Sequence, residues 1–149
     1  MQDESFQVWR DNFLNLTKFT EGFIEATLWS TLNANHESDP DSPECLDGAE
    51  ETDPETLESL ERLATRFYHA NEAELEQAAK HRQTPDGKPW EYLGHDAWLS
   101  MAGHGTGFWD REDIPEPIRS ILNNSASRQF DQTSAYGWIF RDTAHMELV

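Results

Sequence analysis

Apolar side chains recur at three- and four-residue steps through much of the chain and at two-residue steps near its end. Phe6, Trp9, Phe13 and Leu16 fall on one face of a helix. Ser5 suits its N-cap, and Asp3 and Glu4 suit the positive end of its dipole. Thr17 and Lys18 read as a break, because Thr20 offers a second N-cap with Glu21 in the next turn. Phe23, Ile24, Thr27, Leu28, Thr31 and Leu32 then follow helical spacing over 20–32, and Gly22 weakens that helix without ending it.

Residues 33–53 have no period. Two prolines, one glycine and eight acids mark a long loop, and loops of more than about 12–15 residues are usually functional or disordered. The acids lack the glycine-centred spacing of a calcium-binding loop. Asp53-Pro54 then starts a helix, an N-cap followed by proline at the first helical position. Leu57, Leu60, Leu63, Ala64, Phe67, Tyr68, Asn71 and Leu75 trace its stripe to about Lys80. His69 with Glu72 and Glu76 shares a face there, a pattern that reads as solvated helix surface.

After the turn-forming stretch at 84–89, Ala97, Leu99 and Met101 alternate with Trp98 and Ser100, which predicts a strand. The glycines at 103, 105 and 107 then supply a turn between strands. Pro115 and Pro117 precede a shorter helix through Ile118, Ile121, Leu122 and Ala126, ending near Gln129. A strand at 135–140 turns back through 141–144, and 145–149 pairs with it as a hairpin. The expectation is one α+β domain over 1–149. Its helical N-terminal half packs on a small, mainly antiparallel sheet formed by the C-terminal half.

Charge changes the picture more than composition does. Eleven Lys and Arg stand against 29 Asp and Glu, a net charge of −18, and the pI is near 4.4. Residues 1–61 hold 16 of the acids and only Arg10 and Lys18, a net of −14, and no base lies between Lys18 and Arg62. Such a surface repels nucleic acid and anionic membranes, and it favours basic partners. The lone Cys45 forms no internal disulfide or zinc motif. No apolar run is long enough to span a membrane, and MQDESFQVWR does not read as a secretory signal. The expected setting is the cytoplasm, with no metal and no cofactor.

The densest stretch is 94–111, GHDAWLSMAGHGTGFWDR. It resembles a segment of an uncharacterised family of small tailed-phage and prophage proteins, in which a GHDxWLxxxGHGxGFWDR-like string is typical. The resemblance reaches residues 20–30, which are similar to that family's N-terminal helix, and covers roughly 20–140. It implies a phage accessory protein, hence the host cytoplasm, and it supplies no catalytic residues.

Three functions compete. The first is a non-enzymatic inhibitor that uses carboxylates in place of DNA phosphates to bind a basic host protein, itself nucleic-acid-binding or a defence protein. Its interaction surface comprises Glu37, Asp39, Asp41, Glu44, Asp47, Glu50, Glu51, Asp53, Glu55 and Glu58. Solubility and halophilic adaptation are the plain explanations of the same acidity. The second is a small-ligand or metal-dependent enzyme site on His95, Asp96, His104 and Asp110, residue types that suit metal binding or acid–base work. Against it, the string has no nucleophile elbow and no phosphate-loop lysine. It reads better as scaffolding, with Asp110 and Arg111 fixing a loop, His104 exposed, and Trp98, Phe108 and Trp109 in the core. The third is a structural or oligomeric phage component that uses exposed aromatics. The sequence leaves the oligomeric state open.

Overall fold

A computed structural model describes residues 4–104, 106–129 and 135–148, with the backbone alone for 4–6 and 129. The first helix, α1 (Glu4–Ser30), runs unbroken for 27 residues. The expected break at Thr17 does not occur, because the Thr17 hydroxyl donates back to the Phe13 carbonyl at 2.9 Å within the helix. Only the second part of α1 enters the core, through Phe19, Phe23, Ala26 and Thr27. Trp9 and Phe13 stack at 5.8 Å but remain 61% and 56% exposed, so of the described side chains of the first apolar stripe Leu16 alone packs against the core.

The acidic segment contains two single 3-10 turns, Ala34–His36 and Leu46–Gly48, and then the two-residue strand β1 (Glu51–Thr52). The single helix expected to reach Lys80 is two, α2 (Pro54–Ala70) and α3 (Glu72–His81). Asn71 separates them. Its side-chain amide donates to the Phe67 carbonyl and to Ser125 Oγ, and its backbone N–H turns to Tyr68 instead. A side chain that takes over the carbonyl of the preceding turn lets the chain change direction without an orphaned acceptor.

The predicted strand at 97–101 is overturned. Those residues lie in α4 (Pro89–Ala102), which begins with proline in its first turn and ends at Gly103 in the left-handed conformation. Leu93, Gly94, Asp96, Ala97, Trp98, Leu99 and Met101 are all buried. A helix covered on most sides keeps no polar stripe, so its sequence can mimic alternation. Gly105 lies outside the described residues, and the stretch that follows Gly103 is accordingly no strand-to-strand turn. It leads to the 3-10 turn Phe108–Asp110 and then to α5 (Ile118–Gln129), whose span matches the expectation.

The sheet is small. β2 (Ala135–Phe140) and β3 (Thr143–Leu148) pair antiparallel, with Tyr136 opposite Glu147 and Trp138 opposite His145. β1 adds to β3 in parallel, giving the order β1-β3-β2. The fold is α+β. Its centre is an aromatic chain in which Trp98 meets Phe23 edge-on at 5.7 Å, Phe19 stacks on Phe67 at 6.0 Å, and Phe67 stacks on Phe108 at 5.9 Å. Such pairs add specific geometry to simple burial. No helix among the described residues is long and apolar enough to cross a membrane.

Candidate functional site

Two regions carry the candidate chemistry, the 94–111 string and the acidic segment. In the string, Gly94 sits where α4 crosses α1. A Cβ there would strike the Phe19 carbonyl and the Phe23 amide, and one on Gly22 would strike the Glu91 backbone. Two facing glycines let the helix backbones touch, and this pair forms the most extensive helix contact in the molecule.

Asp96 is fully buried. Its Oδ2 accepts from Arg82 Nε at 2.9 Å and its Oδ1 from Arg111 Nε at 2.7 Å. Asp113 completes the network, accepting from Arg82 Nη1 at 3.2 Å and from the Gln83 amide at 2.6 Å. Burial works against the charge on Arg82, but hydrogen bonds and charge from Asp96 and Asp113 outweigh it and raise its pKa further. The network ties the end of α3, α4 and the 111–114 turn together.

The other three candidates face elsewhere. His95 Nε2 lies 3.1 Å from Glu25 Oε1 on α1, with Trp29 edge-on at 6.1 Å and Tyr92 at 5.2 Å. His104 is exposed just past the helix end, as expected. Asp110 caps its own loop, accepting from the Gly107 amide at 3.0 Å and from Thr106 Oγ1 at 2.8 Å. Burial opposes ionisation of Asp110, yet these hydrogen bonds and the Arg111 charge hold its carboxyl below the usual range. Gly107 has φ 146° and packs against Ser100, whose Oγ accepts from the Phe108 amide at 2.9 Å.

The four candidates are therefore not brought to one centre. Trp98 and Phe108 are core residues, whereas Trp109, expected beside them, is 54% exposed. Arg82 is the partner that sequence reasoning missed. It reads as a helix-end base, and nothing in spacing or period links it to Asp96. Among the described residues, no group of three His, Cys, Asp or Glu is placed to hold a metal ion. Burial, then Asp47 and Glu44, push the Cys45 thiol up, away from the thiolate a nucleophile needs.

The acidic segment is ordered by uncharged anchors. Asn33 is buried; its Nδ2 donates to Ser42 Oγ and to the Pro43 carbonyl, both at 2.8 Å. Its Oδ1 accepts from the Asn35 and Ile139 amides at 3.1 and 2.9 Å. Asn35 Nδ2 donates to the Ile139 carbonyl at 2.9 Å, and Leu46 is fully buried. Sequence reasoning missed Asn33 too, since a lone Asn after a helix resembles any cap or turn residue.

Around these anchors the carboxylates point outward. Glu37, Asp39, Asp41, Glu44, Asp47, Glu50, Glu51, Glu55 and Glu58 are exposed, and Asp53 is half-buried. Asp53 has a structural task as well, since its Oδ2 accepts from the Thr56 amide at 3.2 Å as the N-cap of α2. Of the ten, Asp53 Oδ1 lies 3.9 Å from His145 Nδ1, and Glu58 meets Arg62 at 3.8 Å, both side chains of that second pair being largely exposed. An ion pair so solvated leaves the local field negative. No protein-family model, curated protein or solved structure matches this chain.

Proposed function

We infer that this chain is a non-enzymatic acidic accessory protein that binds a basic, nucleic-acid-binding partner through carboxylates that stand in for DNA phosphates. The observation that carries the reading is the acidic segment itself. Seven of its eight carboxylates are exposed, as are Glu55 and Glu58 on α2, and no Lys or Arg interrupts the chain between Lys18 and Arg62. Asn33, Asn35 and Leu46 fasten the backbone beneath them.

Rigidity matters here. Duplex DNA presents a charge about every 1.7 Å of its axis, and a flexible acidic tail would have to lose conformational entropy to match such an array. The phage and host-defence setting rests on the likeness of residues 94–111 and enters as part of the proposal. The enzyme reading is weaker, because Asp96 is buried in an arginine network, Asp110 caps its own loop, His95 pairs with Glu25 and His104 is exposed past the end of α4.

The test is capture of host proteins at low salt and release at high salt, followed by assay of each released protein for duplex DNA binding with and without the chain. The expected result is displacement of DNA by the wild-type chain, weakened by combined Asp39→Asn, Asp41→Asn, Glu44→Gln and Asp47→Asn substitutions. If the captured proteins keep their DNA, or the neutralised variant displaces it equally well, the acidity serves solubility and the reading fails.

A further inference from the structure

Alternation along β2 puts Tyr136, Trp138 and Phe140 on one face and buries Gly137 and Ile139 on the other. Tyr136 and Phe140 are 57% and 56% exposed. Three aromatic residues in a row on an outward sheet face ask for a partner. The ladder has internal order. Tyr136 and Trp138 approach at 5.7 Å, and His145 lies flat on Trp138 at 5.4 Å with an interplanar angle of 9°.

The rim of this face is acidic. Glu147 stands opposite Tyr136 across the hairpin. Beyond β3, the first turn of α2 brings Asp53 and Glu55 to a groove of about 430 Å³ that Trp138, His145 and Glu147 also line. The chain already seats one guanidinium on this ladder, since Arg141 lies 5.2 Å over the Phe140 ring. It does so from a two-residue turn in which Arg141 and Asp142 both have positive φ, 50° and 60°. That region disfavours side-chain-bearing residues, so the turn holds Arg141 in place at some conformational expense.

We propose that the outer sheet face, with the carboxylates of Asp53, Glu55 and Glu147 beside it, is the docking site for an arginine-rich segment of a partner protein. This rests on the basic-partner reading above and adds where that partner is gripped. Guanidinium groups stack on aromatic rings and pair with carboxylates at once, which ammonium groups do less well. Phosphates would meet the same carboxylates as repulsion. A second copy would bring its own Glu147 and Glu55 rim, and its own −18, against this one. The segment lies across the face and does not add as a strand, because Asn33 and Asn35 already occupy the Ile139 amide and carbonyl at the β2 edge.

The test titrates the full chain with a fluorescent arginine homopolymer and a lysine homopolymer of equal length. Three proteins are compared: wild type, Tyr136→Leu/Phe140→Leu, and Tyr136→Phe/Phe140→Leu. Leucine keeps apolar bulk while removing the π face, and Tyr136→Phe restores one ring. The expected result is tighter binding of the arginine polymer than of the lysine polymer. The leucine pair should weaken arginine binding about tenfold, leave lysine binding within about twofold, and recover in part with Tyr136→Phe. Equal binding of the two polymers, or no effect of the leucine pair, overturns the docking face and leaves the acidic-segment reading standing. Absence of binding to either polymer at low salt overturns both.

Discussion

Replacing Asp96 by Asn separates scaffold from active site by the sign of one measurement. Asn is nearly isosteric, so the packing around residue 96 is kept and the charge alone is removed. Asp96 is fully buried and each of its oxygens takes a guanidinium nitrogen, at 2.9 and 2.7 Å. One position of the new amide becomes NH2, a donor facing the donor of Arg82 or Arg111. Arg82, whose side chain is only 9% exposed, keeps Asp113, but Arg111 is left with Asp110 at 4.0 Å. Removing one partner from a buried ion network costs about 3–5 kcal/mol. For a chain of this size, at about 2–4 °C per kcal/mol, Tm should fall by roughly 10 °C. Urea denaturation monitored by tryptophan fluorescence supplies the free energy and thermal melting supplies Tm. Glu58→Gln is the control, since its pair with Arg62 is 67–72% exposed and the change should stay within about 0.5 kcal/mol. A catalytic Asp96 predicts the opposite sign, because removing a strained functional charge commonly stabilises a protein. An Asp96→Asn variant within about 1 kcal/mol of wild type would refute the scaffold argument.

Two further outcomes follow from the same region. Gly94→Ala pushes a methyl into the Phe19 carbonyl and the Phe23 amide and should cost about 1–3 kcal/mol by overpacking; an unchanged urea midpoint would mean that the helices are not in backbone contact. Asp110→Ala should cost about 1 kcal/mol at neutral pH, as loss of a cap does. Because the folded carboxyl of Asp110 is held below its usual range, that contribution is present above the unfolded value of about 3.9 and is lost as pH falls through the folded one. The gap between wild type and variant should therefore close on acidification, and a gap constant with pH contradicts the assignment.

The elements legible in the sequence are those with one exposed and one buried side. The amphipathic stripe of α2, the proline-led start of α5 and the alternating hairpin at 135–148 each follow from period and turn residues. α4 was illegible for the opposite reason. With seven residues buried on most of its surface, Ala97, Leu99 and Met101 satisfy a two-residue period as well as Leu93, Ala97 and Met101 satisfy a helical one. Pro89 was the missed signal, since it sits where a helix starts. The string at 94–111 was visible as dense and glycine-rich, but spacing alone does not reveal what each residue touches. Gly94 serves a helix crossing, Asp96 a buried network, Ser100 and Asp110 a loop. Asn33 and Arg82 act across long sequence separations, through Ile139 and Asp96, and local pattern carries no trace of that.

The buried network also bears on the field outside. Arg82 and Arg111 balance Asp96 and Asp113, so the interior network is neutral and the whole −18 falls to the remaining residues. Self-repulsion in the acidic segment would open it if its hold were ionic, because salt and pH would loosen the same contacts that set its shape. Its hold is instead the Asn33 and Asn35 amides and the Leu46 side chain. Amide hydrogen bonds and apolar burial persist from low to high salt, whereas attraction to a basic partner decays over a Debye length of about 8 Å at physiological ionic strength. Fold and binding should thus respond differently to salt. A halophilic protein needs salt to fold, while a mimic stays folded at low salt and binds best there. Melting temperatures at low ionic strength distinguish the two, and unfolding on salt removal would place the acidity on the side of halophily.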